Sequence, residues 1–175
     1  GPWELREFTI DSISGQLKQS VTALTPDTSL DNSFELENFL NQNAPAILKE
    51  RHSIPANMLA ASAPVNFFPW ASTLVNVDDD VKQKFAVNTC NSCHLTESPN
   101  TPFTHVFIRS QNSPSQLSGF LNGGSIQDPR SPSITRKFND LQRRVINLNN
   151  LLHVNSDVTG DGRADIIIRA LGSSD

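Results

Sequence analysis

Both cysteines of the chain lie in one short stretch, residues 88–95, which reads NTCNSCHL. Cys90 and Cys93 are three positions apart, and His94 follows directly. On a helix, residues three and four positions apart share a face, so the two thiols and the imidazole are expected to point the same way. Cys-x-x-Cys-His is the spacing of c-type haem attachment, in which the thiols bind one edge of the porphyrin and the histidine binds iron. The motif therefore predicts a chain that folds around a large apolar group.

Other interpretations of the two cysteines fit less well. A structural zinc site needs four ligands, and Cys90, Cys93 and His94 supply three. A thioredoxin-like dithiol follows a strand and begins a helix, whereas this pair is predicted near the end of a helix. A disulfide across two residues is strained, and two cysteines cannot form a disulfide-dense framework.

Composition agrees with a fold that needs extra apolar mass. The chain has 175 residues, enough for one domain with a core, but only 37% are hydrophobic. Eleven prolines indicate long loops.

The formal charge is −4, and no run of Lys or Arg indicates a nucleic-acid partner. No apolar run is long enough to span a membrane. Gly1-Pro2 is typical of a remnant of tag removal, so we expect an export signal in the natural chain.

The first half of the sequence predicts a hairpin and a broken helix. Short alternation around a polar Asp11–Gly15 turn predicts strands near 4–10 and 16–23. Asp31, Asn32 and Ser33 offer N-caps, and with two early glutamates they predict a helix that ends near Asn43. Pro45 should split this helix from a second turn that starts near Ala44. The proline-rich segment 51–77 contains VNFFPW (65–70), an apolar loop expected to cover the haem.

The second half predicts three helices. Asp78-Asp79-Asp80 should cap a helix that carries the cysteines at its end. A short helix is expected over 113–124, with Ser113 as N-cap and Gly123 beyond its end. Apolar residues at helical spacing predict a final core-packing helix over 131–154; they are Ile134, Phe138, Leu141, Val145, Leu148 and Leu152. The expected fold is mainly α, a cytochrome c-like helical domain around a covalently attached haem, with a small sheet formed by the chain ends.

The second axial ligand of the iron must come from elsewhere in the chain. His105 follows His94 by 11 residues, lies among apolar neighbours in TPFTHVFIR, and is the favoured candidate. Met58 is the only methionine, but it precedes the motif in a proline-flanked loop. His52 or an open site is a further alternative, and His153 is expected at the surface. Methionine would raise the potential and a second histidine would leave it lower.

Several segments together resemble mono-haem c-type cytochrome modules of large secreted proteins from polysaccharide-degrading bacteria. They span roughly residues 3–152 and read WELREFTIDSISGQL, ILKERHSIP, FAVNTCNSCHLTES, FTHVFIR and FNDLQRRVINLNNLL. The resemblance implies an electron-transfer unit within a larger modular protein, with an extracellular oxidase or copper monooxygenase as a possible redox partner. The family's haem-binding residues correspond to Cys90, Cys93 and His94, and its F-x-H-V histidine corresponds to His105. LTESPNTP stands where the family is often glycine-rich.

The tail is predicted to be a separate segment, residues 153–175, packed on the domain formed by residues 1–152. DVTGDGRADIII (157–168) resembles a short calcium loop. Its candidate ligands are Asp157, Thr159, Asp161, the carbonyl of Arg163, and Asp165. A turn without metal is the alternative, since Thr159 stands where Asp or Asn is usual. The strand-like IIIRA that follows is expected to pair with the N-terminal hairpin.

The sequence thus predicts an extracytoplasmic carrier of single electrons, because covalent haem attachment takes place outside the bacterial cytoplasm. No hydrolytic grouping of side chains accompanies the motif. Two other functions stay open. One is a peroxidase-type haem enzyme with an open or labile distal site, and the other is a structural or binding module in which haem and calcium have no redox role.

Overall fold

The computed structural model describes residues 4–65, 70–99 and 104–154. Within them the strands are β1 (Glu4–Leu5), β2 (Glu7–Ile10), β3 (Leu17–Ser20), β4 (Ala63–Pro64), β5 (Gly124–Gln127) and β6 (Thr135–Phe138). The helices are α1 (Phe34–Leu48), α2 (Asp79–Val87), α3 (Cys90–Cys93), α4 (Gly119–Asn122) and α5 (Asp140–Val154). Two 3₁₀ turns cover Thr28–Leu30 and Ala56–Met58.

The N-terminal hairpin is confirmed. β2 pairs antiparallel with β3 from Glu7–Ser20 to Ile10–Leu17. The carboxylate of Asp11 accepts hydrogen bonds from the backbone N–H groups of Ile13 and Ser14, which closes the turn. The preceding β1 does not extend this hairpin, because it pairs with β4 in the middle of the chain. The predicted partner of the hairpin, residues 166–170, lies outside the described residues.

Helix α1 runs through Pro45, so the predicted split at this residue is wrong. Ser33 caps the helix by accepting from the backbone N–H of Leu36. Apolar side chains are buried before the proline and again at Ile47 after it. Packing on both sides therefore holds the helix axis through a residue that lacks a backbone donor.

The core lies between α1, α2 and the loop that joins them. Phe85 of α2 is fully buried and meets the rings of Phe39 and Trp70 edge-on, with centroids 6.2 and 6.1 Å apart. Met58 belongs to the same buried cluster. Trp70 is thus a core residue, and Phe67 and Phe68 of the apolar loop lie outside the described residues.

The segment before α5 is a hairpin, which corrects the prediction of one helix over 131–154. β5 pairs antiparallel with β6 from Gly124–Phe138 to Gln127–Thr135. Asn139 then starts α5, its side-chain oxygen accepting from the backbone N–H of Gln142. The 3–4 spacing of Ile134 and Phe138 is therefore coincidental, because both lie in extended chain.

Two further expectations about this half are also wrong. The predicted helix over 113–124 is reduced to α4, whose N-cap position is Ser118 rather than Ser113. The apolar stripe of α5 does not enter the core, since Leu141, Val145 and Leu148 are 41, 50 and 54% exposed.

The expected mainly α, cytochrome c-like class is corrected by these elements. Helix makes up 35% and strand 17%, with five helices and small sheets, among the residues that the structure describes. The sheets are three separate two-stranded pairs within those residues, and the C-terminal strand of the predicted sheet between the chain ends lies outside them. In the same described ranges, no helix is long and apolar enough to cross a membrane.

Candidate functional site

The motif occupies a helical turn of its own. α2 ends at Val87, Thr89 takes the N-cap position of α3, and His94 the C-cap position, so the cysteines do not extend α2 as predicted. The N–H of Cys93 donates to the Thr89 carbonyl, and that of His94 to the Cys90 carbonyl. One helical turn is enough to bring the two thiols and the imidazole to the same side.

Buried polar contacts fix this turn against the core. The backbone N–H of Cys90 donates to Thr25 Oγ1 at 2.9 Å. Trp70 Nε1 donates to Asn91 Oδ1 at 3.1 Å, and both side chains are fully buried. Asn91, between the two cysteines, therefore has a structural role, because its contact with Trp70 fixes the motif turn to the core.

His105 lies opposite His94, with ring centroids 4.9 Å apart. His105 Nε2 is 3.6 Å from the Cys93 sulfur. The ring of Phe120 in α4 covers His105 at a centroid distance of 4.6 Å. The structure thus brings together all four residues favoured from the sequence: Cys90, Cys93, His94 and His105.

These four residues line one cleft of about 710 Å³. That volume is within the roughly 300–1,000 Å³ typical of small-molecule and cofactor sites. Phe120 and Phe138 supply apolar wall, their centroids 5.6 Å apart. The lining therefore offers the thiols and imidazoles that a c-type haem uses, but the two imidazole rings lie closer together than two ligands on opposite sides of one iron, so they would have to separate when the haem binds.

Met58 and His52, the alternative axial ligands, do not line this cleft. Met58 is buried in the hydrophobic core. His52 is also buried, with its ring centroid 6.1 Å from that of Phe85. Burial lowers the pKa of His52, against the opposing charge of Glu50.

Both cysteines are free thiols. Burial raises the pKa of Cys93 to about 12, with the carboxylate of Asp140 acting in the same direction. Burial also lowers the pKa of His105, and the neighbouring His94 adds to this. At neutral pH the interior of the cleft therefore presents an uncharged thiol and a neutral imidazole.

The charge of the cleft is opposite to that of the chain. Its lining carries five cationic side chains and two carboxylates among the described residues, whereas the whole chain has a formal charge of −4. The cations are Lys84, Arg136, Lys137, Arg143 and Arg144. Four of the five, Lys84, Arg136, Arg143 and Arg144, already form ion pairs with carboxylates of the protein, so most of this positive charge is compensated before any ligand binds.

Asp140, the first residue of α5, forms ion pairs with two of these cations. It accepts from Arg143 Nε at 2.9 Å and from Arg144 Nε at 2.5 Å. Burial alone would raise the pKa of Asp140, but these hydrogen bonds hold it below its usual value. Arg143 also reaches Glu50 at 2.7 Å, which ties α5 to the end of α1.

A buried ion network beside the motif was missed by the sequence reasoning. Arg130 binds Glu97 through two hydrogen bonds of 2.6 and 2.8 Å, and both side chains are almost fully buried. Asp128 joins Arg130 to Arg136, and Arg136 pairs with Asp80 of α2. The network clamps the β5–β6 hairpin to the chain just after His94. The charged residues of this network are spread over positions 80–136, so no short sequence pattern indicates that they meet.

No cluster of three or more His, Cys, Asp or Glu side chains suited to a metal ion occurs in residues 4–65, 70–99 and 104–154. The calcium-loop candidates, Asp157, Thr159, Asp161, Arg163 and Asp165, lie outside these residues.

Comparison with protein-family models, with curated proteins and with solved structures finds no significant match. The resemblance to mono-haem modules therefore stays a prediction from the sequence.

Proposed function

We propose that the chain carries single electrons on a haem that is attached covalently to Cys90 and Cys93. His94 and His105 are the axial ligands in this proposal. The observation that carries it is the convergence of these four residues on one cleft of about 710 Å³. Three of these side chains are neighbours on one helical turn, so the informative contact is that of His105, which reaches them from a loop 11 residues after His94.

When bound, the haem supplies a centre that gains and loses one electron. The residues of the chain perform the other tasks. Cys90 and Cys93 hold the group in place, while His94 and His105 bind its iron from two sides. Phe120 and Phe138 exclude water from its faces.

Compartment and partners follow from the same proposal. Thioether attachment takes place outside the bacterial cytoplasm, so the chain belongs to the periplasm, the cell surface or the secreted fraction. Its partners are then redox proteins that exchange one electron, such as an extracellular oxidase or monooxygenase. The support for a larger modular parent protein is the sequence resemblance.

The proposal is tested by producing the chain in a bacterium with a c-type maturation system. Haem should stay bound to the denatured polypeptide, and a redox titration should fit a one-electron transition. The matched control is Cys90→Ala/Cys93→Ala, which should lose haem on denaturation. Haem that dissociates from the denatured wild-type chain contradicts the covalent site. A titration without reversible reduction favours the structural module instead.

A further inference from the structure

Ser118 occupies the N-cap position of α4, yet its hydroxyl does not cap the helix. Serine at this position usually accepts a hydrogen bond from a backbone N–H of the first turn. Here the carbonyl of Ser118 accepts from Leu121 and Asn122, while Ser118 Oγ lies 3.1 Å from His105 Nδ1. Ser118 is fully buried. Its hydroxyl has therefore been diverted from the helix to the imidazole.

The backbone holds the same two residues together. The N–H of Ser118 donates to the His105 carbonyl at 2.8 Å, and that of Phe107 donates to the Gln116 carbonyl at 2.8 Å. Val106 and Leu117 form the antiparallel bridge between them. His105 is thus fixed to Ser118 by main chain and side chain, although 12 residues separate them.

The contact at Nδ1 decides which ring nitrogen is presented to the cleft. With Nδ1 directed at Ser118, Nε2 points towards the Cys93 sulfur, 3.6 Å away. In proteins, the hydrogen bond of one ring nitrogen sets the tautomer and orientation with which the other binds a metal.

We propose that Ser118 is the positioning residue of the distal ligand, accepting a hydrogen bond from His105 Nδ1–H so that Nε2 faces the iron. This inference rests on the proposed function, because it assigns the residue that orients one of its two axial ligands. A serine that merely satisfies a buried imidazole would stabilise the fold without affecting how firmly the ligand binds.

The test compares Ser118→Ala with Ser118→Thr in the haem-loaded protein. Ser113→Ala is the matched control, because Ser113 lies in the same segment and its hydroxyl donates to the Ser110 carbonyl rather than to His105. Added imidazole should displace the distal ligand of ferric Ser118→Ala at about 10- to 100-fold lower concentration than in the wild type. Ser118→Thr and Ser113→Ala should behave like the wild type. The reduction potential of Ser118→Ala should rise, since its distal imidazole loses electron density.

The inference would be overturned if Ser118→Ala matched the wild type in both the imidazole concentration that displaces the distal ligand and the reduction potential. This holds whatever the melting temperature of the variant. His105→Ala separates this failure from that of the proposed function. If His105→Ala leaves the spectrum unchanged, the axial ligand set itself is wrong. Should Ser118→Ala not fold, nitrogen-15 NMR of the ferrous wild type decides. A slowly exchanging proton on His105 Nδ1 supports the inference, and an Nδ1 proton that exchanges rapidly with solvent contradicts it. A proton on Nε2 would instead contradict His105 as an iron ligand.

Discussion

Single buried side chains determine how the chain responds to pH. His52 is buried against Phe85, and neither ring nitrogen has a hydrogen-bond partner within the part of the chain that the structure describes. Burial lowers its pKa, so the folded protein binds this proton less tightly than the unfolded chain does. The stability it contributes is present above the ordinary histidine pKa of about 6.5 and is lost as the pH falls below it.

His52→Phe should therefore reduce the loss of melting temperature between pH 7 and pH 5. The matched variant His52→Gln should flatten the same profile, because it also cannot titrate there. His52→Gln should be less stable than His52→Phe at pH 7, however, since a buried amide without partners costs about 1–3 kcal/mol and the phenyl ring has no polar group to desolvate. Thermal unfolding at a series of pH values provides the measurement. An unchanged profile in both variants would show that His52 is not the titrating group.

At the scale of elements, the β5–β6 hairpin is held by buried charges as well as by the contact between Phe138 and Phe120. The side chains of Glu97, Arg130 and Asp128 are almost completely buried, and no local sequence pattern joins them. The hairpin itself was misread as helix because Ile134 and Phe138 continue the 3–4 spacing of α5. The signal that could have found the boundary is Asn139-Asp140, an N-cap followed by an acidic first turn.

Glu97→Ala should lower the free energy of unfolding by about 3–5 kcal/mol, because it leaves the charge of Arg130 buried beside an empty site. Urea unfolding measures this change. Arg6→Ala is the control, since it breaks an exposed ion pair with Glu4 that water already screens, and it should have little effect. A loss below about 1 kcal/mol in Glu97→Ala would mean that packing alone holds the hairpin.

The whole molecule shows which levels of structure the sequence encodes locally. The hairpin β2–β3, the cap at Ser33 and the start of α2 were predicted because a turn or a cap lies within a few residues of its partner. The fold class was not predicted correctly, for two reasons. Packing carries α1 through Pro45, and the β5–β6 hairpin depends on charged residues that are distant in the sequence. Cys90, Cys93 and His94 lie on one side of their turn because the motif spacing limits where they can point. His105 was favoured for its distance along the chain and its apolar neighbours, and the role of all four as haem ligands stays a prediction. The role of Ser118 could not be predicted, since its contact with His105 depends on the bridge between Val106 and Leu117.

Calcium binding by the tail is a separate prediction at this scale. If residues 157–165 form a calcium loop, EDTA should lower the melting temperature of the wild type, because a ligand that binds only the folded state stabilises it. Asp161→Ala/Asp165→Ala should start from the lower melting temperature and should not respond to EDTA. A wild-type melting temperature that is the same with and without EDTA would indicate a turn without metal.

The central claim is that the haem iron is bound by His94 on one side and His105 on the other. Its most direct test is the ferric absorption spectrum of His105→Ala beside that of Met58→Ala, both in the haem-loaded protein. The wild type and Met58→Ala should give the same six-coordinate, low-spin spectrum, because Met58 lies in the core and does not line the cleft. His105→Ala should become high-spin. A low-spin His105→Ala with a high-spin Met58→Ala, or a wild type that is already high-spin, would contradict the account.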